Sequence, residues 1–161
     1  MAIEAPISKY RRTNFIIYIV VSLGVAIIFA YDGYLSKYKW SGRYSFYKEH
    51  VLDNDGKPNS TMVFNQKSPP FFIGAAILFG VYYLIIRNDK LIADENELII
   101  SGKKRIPYDS IEKINKTYFE KKGFFVITYK NESGRQVSKK ISDKRYRNLP
   151  AVLDHLVAKI S

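Results

Sequence analysis

The chain of 161 residues contains no cysteine, two histidines and one tryptophan, and only 15 acidic residues stand against 26 Lys and Arg. Without cysteine there is no disulfide, no thiolate nucleophile and no Cys-based zinc site. The two histidines, His50 and His155, fall on different predicted segments, so no shared site is expected. His155 reads as a partly exposed helix residue and His50 as a surface loop residue. There is no HExxH, no glycine-rich phosphate loop and no paired-carboxylate motif. Glu95 and Glu97 read as solvated turn and strand positions. These absences predict a non-enzymatic protein with no catalytic, cofactor-binding or metal-binding residues and no small-molecule substrate. No repeat or low-complexity tract is visible.

What the chain does have is two runs without a single charge, Phe15–Tyr31 and Phe71–Ile86, in a sequence where 25% of residues are charged. A helix crossing about 30 Å of hydrocarbon needs roughly 17–25 mostly apolar residues. The first run, 17 residues, reaches that range, and the second falls one short, with Pro69 and Pro70 placed to start a helix. Ile16, Ile17, Ile19, Val20 and Val21 cover every helical face, unlike an amphipathic helix. A chain this short cannot supply a shell around two buried core helices. The first run also resembles a signal peptide, but it is long for one, and Ala30-Tyr31-Asp32 is a poor cleavage site. The prediction is a transmembrane hairpin with helices at 15–31 and 71–87.

Aromatic residues crowd the ends of both runs, where a ring can be half dry and its hydroxyl wet. Ser22, Ala26 and Ala30 form one stripe of small residues; Ala76 and Gly80 form another, with Gly74 nearby. Such stripes let helix backbones approach closely. They predict packing of the two helices on each other or on another subunit.

Charge sets the expected orientation. The arm 1–14 carries Lys9, Arg11 and Arg12 against Glu4, and the segment from Arg87 onward carries 17 basic residues against 10 acidic. The positive-inside rule then puts both termini in the cytoplasm and the segment 32–70 outside. Six basic residues in that segment, with Lys37, Lys39 and Arg43 close to the first span, count the other way. The expected location is the inner (plasma) membrane, multi-pass.

The segment 32–70 is polar and aromatic. Asn54-Asp55-Gly56-Lys57-Pro58 signals a turn, Ser41–Leu52 a short helix and Ser60–Phe64 a short strand. Tyr38, Trp40 and Tyr44 are candidates for an interfacial segment on the bilayer or for contact with a partner protein.

From Asn88 the pattern changes to short β-type runs at Glu97–Ser101, Lys103–Tyr108, Ile111–Phe119, Gly123–Lys130 and Arg135–Ile141. Close turns between them predict an antiparallel meander. Leu149, Val152, Leu153, Leu156, Val157 and Ile160 then form one apolar stripe of a terminal amphipathic helix, with Asn148 and Pro150 suited to its start. Pro107 suits a strand edge, Asp109 or Ser110 a turn, and Ile106, Ile111 and Ile114 the core. The fold class is α+β: a two-helix transmembrane hairpin followed by a small antiparallel β domain, residues 88–161, with a C-terminal helix.

Two stretches of this region carry a resemblance. Leu91-Ile92-Ala93-Asp94-Glu95-Asn96-Glu97-Leu98-Ile99-Ile100 resembles the strand–acidic turn–strand opening of bacterial pleckstrin-homology-like domains. Ile106-Pro107-Tyr108-Asp109-Ser110-Ile111-Glu112-Lys113-Ile114 is similar to their I-P-Y/W-x-x-I-x-x-I segment. The overall layout resembles small bacterial two-helix membrane proteins with such a domain at the C-terminus. The resemblance implies a seven-stranded domain, of which about five strands are visible here, so a reduced or open barrel is expected.

The basic clusters Lys103-Lys104-Arg105, Lys121-Lys122, Lys139-Lys140 and Lys144-Arg145-Arg147 read either as solvated loops or as contacts to anionic headgroups. Lys103, Lys104, Arg105, Lys139, Lys140 and Arg145 are the candidate lipid contacts. A membrane tether makes a basic face a weak sign of nucleic acid. The expectation is a membrane protein whose β domain binds a protein partner, a second copy or the lipid surface, as an accessory subunit of a larger complex. The alternative is a component of an oligomeric transporter or channel.

Overall fold

A computed structural model describes residues 2–160. Strand β1 (Ile3–Pro6) is followed by helix α1 (Lys9–Ala30), which widens into a π-helical turn at Tyr31–Leu35. Next come α2 (Tyr44–Tyr47), a second π-helical turn at Lys48–Leu52, α3 (Ser60–Lys67) and α4 (Pro69–Ile86). The remainder is β2 (Lys90–Ala93), β3 (Glu97–Ile100), β4 (Lys104–Pro107), β5 (Ile111–Asn115), α5 (Phe119–Lys122), β6 (Phe124–Lys130), β7 (Gln136–Ser142) and α6 (Leu149–Ile160). These elements form two compact units. One is Phe15–Tyr82; the other joins the chain up to Asn14 with the chain from Tyr83 onward.

In the sheet unit, β1, β2, β3 and β4 form one antiparallel sheet in that order, and β5, β6 and β7 form another. Ile3 pairs with Ala93 and Pro6 with Lys90; Leu98 pairs with Ile106, and Phe125 with Ile141. Strand alternation turns one side of each strand inward. Leu91, Ala93, Leu98, Ile106, Phe125, Ile127 and Ile141 therefore share one core with Leu149, Val152, Leu153 and Leu156 of α6. Ile106 and Ile111 are buried and Ile114 packs against them, as expected. Pro107, without a donor, ends the edge strand β4.

The arm 1–14 is not a separate basic tail. Ile3–Pro6 is an edge strand, and Ala5 is completely buried in the core. The described residues hold seven strands, not five. The first of them lies before the first apolar run. The expected strand Ile111–Phe119 is shorter, ending at Asn115, and its last residue, Phe119, begins α5.

Two helical stretches of 27 residues, Lys9–Leu35 and Ser60–Ile86, are long and apolar enough to cross a membrane. Only 6% and 17% of their apolar windows are buried, which is the reverse of a soluble core helix. Phe15–Tyr82, Tyr18–Phe79 and Phe29–Phe72 ring pairs, at 5.2, 5.4 and 5.6 Å, zip α1 and α4 antiparallel.

The segment between the runs is mostly helical. The expected short helix is realised at Tyr44–Leu52, in α and then π form. Ser60–Phe64 is not a strand but part of α3. Asn59 caps it, its Oδ1 accepting from the Met62 N–H at 3.1 Å, and Met62 and Asn65 are buried. Cap and packing override the β preference of Thr61, Val63 and Phe64. Gly33 is needed here: a Cβ would lie 2.8 Å from the backbone of Asn65.

Candidate functional site

The small-residue stripes are only partly used within the chain. Ala26 and Ala76 are buried, while Ser22, Ala30, Gly74 and Gly80 are half-buried. A Cβ on Gly74 or Gly80 would meet nothing within 4 Å, so no backbone approaches there. The helix seam is made of aromatic rings.

Tyr38 and Trp40 stack at 5.6 Å with Lys37 over the Tyr38 ring, and Trp40 is 70% exposed. Tyr44 packs instead against Tyr47. Near them Asp32, itself buried, accepts two hydrogen bonds at 2.8 Å from the Arg43 guanidinium. That hydrogen-bonded carboxylate holds the Arg43 pKa above its usual value.

The predicted lipid-contact residues do not form one patch. Lys139 pairs with Ile127 and Lys140 with Val126, so they project to opposite sides of the sheet. Arg105 is bound to Glu97 at 2.7 Å. Lys104 lies over the Tyr129 ring, in a cleft of about 550 Å³ that Lys103 and Lys130 also line. Tyr129 is buried, and its hydroxyl makes no hydrogen bond. Arg145 is half-buried elsewhere, its guanidinium over the Tyr146 ring and 3.5 Å from Ser101 Oγ.

The structure gathers a different set. An open cleft of about 1130 Å³ is bounded by the first turn of α1, by α5, by the adjoining ends of β6 and β7, and by the link into α6. Its cations are Lys9, Lys121, Lys122, Lys140, Lys144 and Arg147, against the carboxylates of Glu120 and Asp143. Ser8 ties the walls together. Its N–H donates to the Arg145 carbonyl and its Oγ to the Lys144 carbonyl, while Oγ also accepts from the Arg11 N–H and so caps α1. Gly123, at φ +65°, turns α5 into β6.

Aromatic rings line the same place. Lys140 Nζ is 3.7 Å from the centre of the Phe124 ring, Phe124 stacks on Tyr118 at 5.5 Å, and Lys122 lies over Tyr118. Lys144 lies over Tyr10. Sequence reasoning named Lys140 but missed Lys9, Tyr10 and Tyr118 as its companions. Ser8 before a basic and apolar run is a helix-start signal, yet it is the Ile7–Tyr146 bridge and the Ser8 hydrogen bonds that bring that start beside the end of β7.

The histidines stay apart from this cleft. His50 Nδ1 lies 3.0 Å from the Asn59 side-chain nitrogen, and His155 Nε2 lies 3.0 Å from the Asp94 carbonyl. Among the described residues no group of three or more His, Asp or Glu is placed to hold a metal ion. No protein-family model, curated protein or solved structure matches the chain.

Proposed function

We propose that the chain is a non-enzymatic two-span membrane protein whose sheet unit is a pleckstrin-homology-like interaction module at the cytoplasmic membrane surface, working as an accessory subunit of a larger complex. One observation carries this reading. Strand β1, before the first apolar run, pairs with β2, after the second. Two ends held in one sheet lie on one side of a bilayer, so the chain between them crosses an even number of times. Two helices of sufficient length and hydropathy occupy that interval.

Seven strands in antiparallel sheets of four and three, with a terminal helix in their shared core, support the pleckstrin-homology-like reading. The basic balance of the sheet unit supports a cytoplasmic location. The exposed Tyr38–Trp40 pair and the small residues left uncovered at Gly74 and Gly80 support contact with a neighbouring protein. The test is extraction of the tagged chain from native membranes in mild detergent, followed by native electrophoresis. A particle larger than the single chain, of constant composition, is expected. A strictly monomeric, partner-free particle sinks the accessory-subunit reading.

A further inference from the structure

Three cations elsewhere in the sheet unit have acidic partners: Lys90 with Glu4 at 2.5 Å, Arg105 with Glu97 at 2.7 Å and Lys130 with Glu112 at 3.0 Å. The large cleft gathers cations that have none. Among the described residues, Lys9, Lys122, Lys140, Lys144 and Arg147 join no ion pair. Three of them lie over aromatic rings instead. A ring face holds an ammonium in place without neutralising it, so the charge stays available to an anion. Tyr10 is 56% and Tyr118 45% exposed, and such rings favour the headgroup layer. Lys9 and Tyr10 belong to the first turn of the helix whose charge-free run starts at Phe15.

We propose that this cleft holds the phosphate of an anionic lipid headgroup, with Lys140, Lys144 and Arg147 as its charge partners and Tyr10 beside them. The proposal rests on the reading of α1 as a membrane span. Lys supplies a mobile point charge, and the planar Arg guanidinium can meet two phosphate oxygens at once. Each basic residue near an anionic surface is worth about fivefold in affinity.

The test uses the full chain in uncharged detergent micelles. It is titrated with short-chain phosphatidylglycerol or phosphatidylcholine, and bound lipid is counted by native mass spectrometry. Phosphatidylglycerol binds more tightly. Substituting Lys140→Gln and Lys144→Gln together weakens it by about 25-fold and leaves phosphatidylcholine unchanged. Lys113→Gln with Lys116→Gln, exposed positions outside the cleft, changes neither. Circular dichroism checks that both variants fold. Equal affinity for the two lipids, or equal loss in the two variants, overturns the site. Glycerol phosphate binding as tightly as phosphatidylglycerol overturns the lipid as source and assigns a soluble phosphate ester. An oligonucleotide that binds more tightly than either, and is lost with the same variant, assigns nucleic acid instead. Carbonate extraction of cell membranes separates the two failures. Release of the chain sinks the span reading, whereas retention without lipid preference sinks only the headgroup site.

Discussion

Tyr108 and Tyr129 are both buried in the sheet unit, and they differ in what their hydroxyls find. Tyr108 donates to the Asp94 carbonyl at 2.7 Å, and burial, followed by the charges of Asp94 and Glu97, pushes its pKa up from 10.0 to about 12. A phenol that ionises later in the folded state leaves stability intact below pH 10.0 and removes it as pH rises toward 12. The loss totals about 2–3 kcal/mol. Urea unfolding in detergent at pH 9 and at pH 11 checks this, because Tyr108→Phe flattens the alkaline fall. Tyr129→Phe is the opposite case. Its hydroxyl is buried with no partner, so removing it relieves a desolvation cost and raises stability by about 1 kcal/mol. A drop in the unfolding midpoint refutes that. Outside this unit, Arg43→Ala strands the buried Asp32 carboxylate and costs on the order of 2 kcal/mol. The double change with Asp32→Asn recovers part of the loss in the same unfolding assay.

Among elements, β1 has the largest consequence for its length. Four residues hold it, and one of them, Ala5, is fully buried. Removing Ile3–Pro6 leaves β2 as the edge of its sheet and bares the backbone that β1 covers. Hydrogen exchange read by mass spectrometry then speeds up across Lys90–Ala93 and over α6, which packs on β1 and β2, but not across β6. Unchanged protection of β2 sinks the prediction. The same strand marks where sequence reasoning stops. Its partner starts only at Lys90, after the whole helical unit, and four residues with one buried side chain leave no periodicity to detect. The charge-free runs, the Phe124–Lys130 alternation and the stripe of α6 were readable because burial or lipid writes a pattern into consecutive residues. Ser60–Phe64 misleads for a local reason: Thr61, Val63 and Phe64 favour strands, while the Asn59 cap and the burial of Met62 decide for helix. The cleft was readable only as scattered basic pairs. Strand pleating separates Lys139 from Lys140, and the contacts of Ile7 and Ser8 with Lys144, Arg145 and Tyr146 deliver Lys9 to a place that sequence distance conceals.

For the molecule as a whole, the β1–β2 pairing constrains topology more tightly than charge counting does. The positive-inside rule alone is opposed by Lys37, Lys39 and Arg43 beside the first span. The pairing is indifferent to charge: it requires that the residues before α1 and after α4 share a compartment. Charge is what selects a compartment, and the basic excess of the sheet unit is why we propose the cytoplasm. The chain contains no cysteine, so single-cysteine variants report without background. Lys57, exposed in the turn between the runs, and Lys116, exposed beyond β5, are suitable sites. In intact cells a membrane-impermeant maleimide labels Lys57→Cys and not Lys116→Cys, and breaking the membrane makes both reactive. The reverse pattern inverts the orientation but keeps the even number of crossings. Labelling of both from outside puts Lys57 and Lys116 on one side and sinks the reading of α4 as a membrane span, because that helix is all that lies between the loop and the sheet.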